Sequence, residues 1–219
     1  MDEQKNNAVI VKKTDWEFFL QVGIVIVLAV LLFYNVNKTG NVTGGVIGTV
    51  SASEIIPKGV PEIYGKELGV SYDGVSTSNP QLADTTIEIL SNIDRTVTLT
   101  GDDLQRYIKI GSMIACEYCC GAETLVFSNG QPACGCAHSY SMRGLAKYLI
   151  KNHGDEFTDD QILEELGKWK VLFFPGVHEQ KAAILKSQGI ELSYINLASN
   201  KYRGIEQGQT SDGAMVGGC

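Results

Sequence analysis

Five cysteines and a histidine fall within 23 positions of this 219-residue chain, as Cys116-Glu-Tyr-Cys119-Cys120 and then Cys134-Gly-Cys136-Ala-His138. Thiolates and imidazoles supplied by two short loops are how a protein holds zinc or another thiophilic ion, so the fold must let these loops meet. Cys116-x-x-Cys119 has the usual chelate bite, which makes Cys120 the weaker candidate of its pair. A tetrahedron needs four ligands, and Cys116, Cys119, Cys134 and Cys136 suffice, with His138 as the fifth candidate. Zinc is the expected ion. Copper or iron is the alternative, since soft thiolates select them too.

Two rival chemistries use the same sulfurs. Disulfides within Cys119-Cys120 or Cys134-x-Cys136 are awkward, but a bridge across the pairs, such as Cys116 to Cys134, stays open. Thiol–disulfide exchange at Cys116-x-x-Cys119 is the other, although the βαβ surroundings of a thioredoxin-type dithiol are missing. No nucleophile elbow, phosphate-cradling loop or H-E-x-x-H is present, and a non-catalytic role is expected. The acidic balance, net charge -7, offers no basic face for nucleic acid.

Phe18 to Tyr34 carries no charge and is rich in Val, Ile and Leu, with Trp16 at its start. That pattern predicts an uncleaved transmembrane signal-anchor over 16–36, contacting the lipid bilayer. Lys5, Lys12 and Lys13 precede it and only Lys38 closely follows. The positive-inside bias then makes 1–15 cytoplasmic and everything beyond the span extracytoplasmic.

Residues 37–79, punctuated by Gly, Ser, Asn and Pro, read as a flexible linker. A helical Cys/His domain follows over 80–197, then a flexible tail over 198–219. Asn79-Pro80 opens one helix, Thr100 with Asp103 a second, and Ser139 or Ser141 a third. Thr158 with Gln161 opens a fourth, whose apolar stripe is Ile162, Leu166, Trp169 and Phe173. A last helix covers about 177–188. Thr124–Phe127, the Asn129-Gly130 turn and Gln131–Cys134 predict a hairpin, and 192–197 another strand. The fold class is thus mainly α with a small β-hairpin. His153 reads as a helix-end cation and His178 as a surface residue.

Knuckle, hairpin, then ligands at a helix start resembles the treble-clef plan of zinc fingers over 116 to about 152. Cys134-Gly-Cys136 and His138-Ser139 also resemble the core of the PCYCGC-motif family, exported proteins of undetermined function. That family carries Cys-Tyr-Cys-Gly-Cys, whereas Pro132 stands here for the first cysteine and the spacing to histidine is shorter. The resemblance implies export and a metal-type motif, and no activity. Together these readings give a membrane-tethered metal-binding domain with a structural or interaction role and an unknown protein partner. Soft-metal handling or thiol redox chemistry is the alternative.

Overall fold

The computed structural model describes residues 16–38, 50–207 and 215–217, with the side chains of the first segment described over 18–31. The chain divides into two units, Met1–Val46 and Ile47–Cys219. In the first, α1 (Trp16–Lys38) is helical, with Phe18, Phe19, Val25 and Val30 exposed. Among the described residues no helix is long and apolar enough to cross a membrane. This overturns the single-pass topology expected over 16–36 and the localisation drawn from it. The uncharged stretch 18–34 rises about 26 Å as a helix, short of the roughly 30 Å of hydrocarbon in a bilayer.

The second unit contains α2 (Ala52–Ile55), α3 (Gly65–Leu68), α4 (Pro80–Thr96), α5 (Gly101–Gly111), α6 (Ala137–His153), α7 (Asp159–Phe173), α8 (Pro175–Ser187) and α9 (Tyr194–Ala198). Its centre is the crossing of α4 with α6. Gly144 makes that crossing possible, because a Cβ there would lie 1.8 Å from the Leu90 carbonyl oxygen. Small hydroxyls line the same seam, with Ser141 Oγ donating to the Ile87 carbonyl at 3.2 Å and meeting Ser91 Oγ at 3.2 Å. Asn79 caps α4 through Leu82 N–H, and Thr158 and Gln161 complete a capping box on α7. Ile162, Leu166, Trp169 and Phe173 are fully buried, so the stripe read from α7 is its core face.

Two stretches depart from the sequence expectation. Residues 50–79, expected as a linker, contribute Val50, Ile55, Tyr64, Val70, Tyr72 and Val75 to the core. Trp169 Nε1 donates to Tyr64 Oη at 2.7 Å, and both Tyr64 and Tyr72 donate to Glu165, which staples this segment to α7. Its glycines and prolines shape tight turns between short helices rather than loosening a tether. Residues 192–197, expected as a strand, start α9, with Ser193 as its cap.

The β-hairpin is also absent. Among the described residues no strand forms; Val126 and Pro132 make an isolated bridge around the Asn129-Gly130 turn. Pro132 has no N–H to extend a ladder, and Cys134 is drawn away into a disulfide. The unit is helical, and the turn is a spacer between the two cysteine loops.

Candidate metal centre

The first loop leaves the end of α5 through Ile114 and Ala115, both fully buried. Gly121, with φ +68°, closes the turn, and its N–H donates to the Glu117 carbonyl at 3.0 Å. The second loop ends at Cys136, which is the N-cap of α6. Its sulfur accepts from Ser139 N–H at 3.3 Å. Cysteine thus takes the capping place expected of Ser139 or Ser141, at the positive end of the helix dipole, where a thiolate is favoured.

These elements bring Cys116, Cys119, Cys136 and His138 together, one ligand atom from each lying within 4.8 Å of the others. Cys134 is not in this group: it is bridged to Cys120. His138 therefore stands where Cys134 was expected. Cys116 and His138 are fully buried and Cys119 and Cys136 half-buried.

The protonation pattern follows from the geometry. Cys116 Sγ donates to Cys136 Sγ at 3.2 Å. That hydrogen bond pushes the Cys136 thiol down and, together with burial, holds Cys116 up as the protonated partner. His138 Nε2 lies 2.9 Å from the Val216 carbonyl oxygen, which only accepts, so Nε2 carries a hydrogen and donates it. Phe173 and Phe174 hold the ring, with centroids 4.7 and 5.0 Å away. A backbone carbonyl fixing the tautomer of an imidazole is the usual support of a metal-ligating histidine. The tail is therefore part of the site: Val216 N–H donates to the Phe173 carbonyl, and Asn200 and Arg203 bond carbonyls of the 112–123 stretch.

Several buried charges around the site were not foreseen. Arg143 is fully buried. Its Nε donates to Asp94 at 2.9 Å and its Nη1 to the Cys134 carbonyl at 2.8 Å. Lys170 and Lys181 are also fully buried, beside Glu117 and Glu206. Helical spacing carried the signal for Lys170: it stands four residues after Leu166 and three before Phe173, on the core face. His178 is buried, its Nδ1 donating to the Phe174 carbonyl at 2.7 Å, and burial holds its pKa well below the ordinary range.

Comparison of the chain with protein-family models, with curated proteins and with solved structures gives no match. The PCYCGC-motif resemblance accordingly rests on the residues quoted for it. What the structure itself supports is a Cys/His group able to hold a metal ion, with a disulfide beside it.

Proposed function

We propose that this domain binds one zinc ion through Cys116, Cys119, Cys136 and His138, and that the ion is structural. The observation that carries the reading is the meeting of three sulfurs and the His138 ring within 4.8 Å of one another, with that ring held by the Val216 carbonyl. Metal–sulfur bonds of about 2.3 Å place tetrahedral ligands about 3.8 Å apart. A group already within 4.8 Å closes on an ion with small shifts. Four protein ligands leave no open position for substrate, which is the pattern of structural rather than catalytic zinc. The ion would clamp the first cysteine loop, the start of α6 and, through His138, the 215–217 segment.

Protein purified without oxidation is expected to carry one zinc per chain by elemental analysis, and Cys116→Ser or Cys119→Ser to lose it. With free zinc a thousandfold above Kd the ion stabilises the fold by about 4 kcal/mol, so chelation lowers Tm by roughly 8–16 °C. A metal-free chain with four titratable thiols, Cys219 among them, and a Tm indifferent to chelator overturns the reading. A second reading, soft-metal handling or thiol exchange, is favoured by one observation: the Cys120–Cys134 disulfide adjoins the Cys136 sulfur.

A further inference from the structure

Cys136 belongs to two groups at once. One is the Cys116, Cys119, Cys136, His138 set; the other is Cys120, Cys134 and Cys136, whose sulfurs also lie within 4.8 Å of one another. We propose that reduction of the Cys120–Cys134 disulfide opens a second metal site, three thiolates taking one soft monovalent d10 ion of the Cu(I) type. Cys136 would bridge it to the first ion, and the proposal rests on the zinc reading for that shared ligand.

Four observations bear on it. The spacing is within reach: bonds of about 2.3 Å to a trigonal ion put sulfurs about 4.0 Å apart, Cys136 already lies within 4.8 Å of both others, and the bonded Cys120 and Cys134 sulfurs separate on reduction. The ligand set is all sulfur, and three-coordinate thiolate suits Cu(I), whereas zinc would want a fourth ligand. Access is one-sided, since Cys120 is exposed and Cys134 is 6% exposed beneath it. Arg143 donates to the carbonyl of Cys134 and so brings a buried cation to a site that gains negative charge on reduction.

The opening step needs an external dithiol as reductant. Its thiolate attacks Cys120 Sγ, the S–S bond breaks, and Cys134 leaves as thiolate. The second thiolate of the reductant then attacks the mixed disulfide, closes its own disulfide and releases Cys120. Two electrons pass to the protein sulfurs, and each released thiolate takes either a proton or the incoming ion. The oxidised chain would therefore hold one ion and the reduced chain two, so the bridge gates metal capacity.

The test counts metal ions per chain by anaerobic native mass spectrometry. Full-length protein in a Cys219→Ser background, so that the C-terminal thiol adds nothing, is loaded with zinc and titrated with Cu(I) supplied as its acetonitrile complex. The oxidised chain is expected to stop at one ion in total, whether or not copper replaces zinc. After dithiol treatment and removal of the reductant it is expected to reach two. Reduced Cys120→Ser and Cys134→Ser are expected to stop at one. A reduced wild-type chain that stops at one, or reduced variants that still reach two, overturns the second site. The wild-type comparison needs no variant to fold. An oxidised chain with no ion sinks the zinc reading instead, and a reduction-dependent gain of one ion that Cys120→Ser abolishes upholds the second site regardless.

Discussion

Two groups of buried charge are built in opposite ways. Between α4 and α6, Asp94 is gripped by Arg143 at 2.9 Å and Lys147 at 2.7 Å, and Arg143 also bonds the Cys134 carbonyl and Ser139. Around the first cysteine loop the contacts are longer. Glu117 lies 3.5 Å from Lys170 and 3.6 Å from Arg203, and Glu206 lies 3.8 Å from Lys181. There Glu117 Oε1 and Oε2, Lys181 Nζ, Glu206 Oε2 and Arg203 Nη1 make no hydrogen bond among the described residues, against Asp94 Oδ1 and Arg143 Nη2 in the first group. Short, directional pairing fixes shape; loose pairing leaves charge to be used by a neighbour. Three cations against two carboxylates give the second group a surplus of positive charge. Lys170 brings that surplus to Cys116, whose charge it favours. A zinc bound by three thiolates and an imidazole carries net charge -1, which such a group offsets.

Arg143→Met is the most severe way to break this contrast. It leaves Asp94 buried with Lys147 alone and frees the carbonyl of Cys134, at a cost of about 3–5 kcal/mol. Denaturant unfolding of the zinc-free protein measures it, and a loss under about 1 kcal/mol would show the tight group to be no tighter than a surface pair.

Lys170→Met sharpens the contrast at the other group. Burial pushes the Lys170 pKa down to about 8, while Glu117 and Cys116 pull it back up, so its charge is held by those neighbours. Removing it is expected to weaken zinc binding about tenfold in a chelator competition. In zinc-free protein it should cost less than Arg143→Met, because Arg203 still faces Glu117. The opposite ranking, zinc affinity intact and the bare fold badly weakened, would make Lys170 a structural cation like Arg143.

The same contrast explains what the sequence could and could not tell. Helix starts were legible at Asn79-Pro80 and Thr158-x-x-Gln161, because capping is local chemistry written in adjacent residues. The α7 stripe was legible by period. The 50–79 segment was misread because its ordering comes from Tyr64 and Tyr72 reaching Glu165, about ninety to a hundred positions away, and turn-rich composition does not distinguish a packed coil from a loose one. The cysteines announced their chemistry, but partner choice did not follow from spacing. Cys134 leaves the first group for a bridge to Cys120, and His138, whose ring is held by Val216 78 residues on, stands in its place. The buried charges were hidden for the related reason that Glu117 and Tyr118 sit in a loop that reads as exposed.

His153 provides the mildest test, at a half-exposed ion group lying between the two extremes. Its Nδ1 lies 2.7 Å from Glu156 and its Nε2 2.9 Å from Glu67, which reaches it from α3. Ionised carboxylates only accept, so both ring nitrogens must carry hydrogen and the ring is an imidazolium. Burial by itself would lower its pKa; the hydrogen bonds to Glu156 and Glu67 outweigh that and hold it above the ordinary value. The folded state therefore keeps the proton more tightly than the unfolded one. The resulting stabilisation is complete below about pH 6.5 and is lost as pH rises through the folded pKa. Glu67 has the opposite sign: hydrogen bonds from Tyr148 and His153 lower its pKa, so its share is present above 4.5 and lost as pH falls through the folded value. Docking of α3 should accordingly be firmest between these limits. Wild type is expected to lose unfolding midpoint from pH 6 to pH 8.5, and His153→Gln to lose less over the same range. Equal slopes in the two proteins would mean that another group, not this imidazolium, sets the alkaline limb.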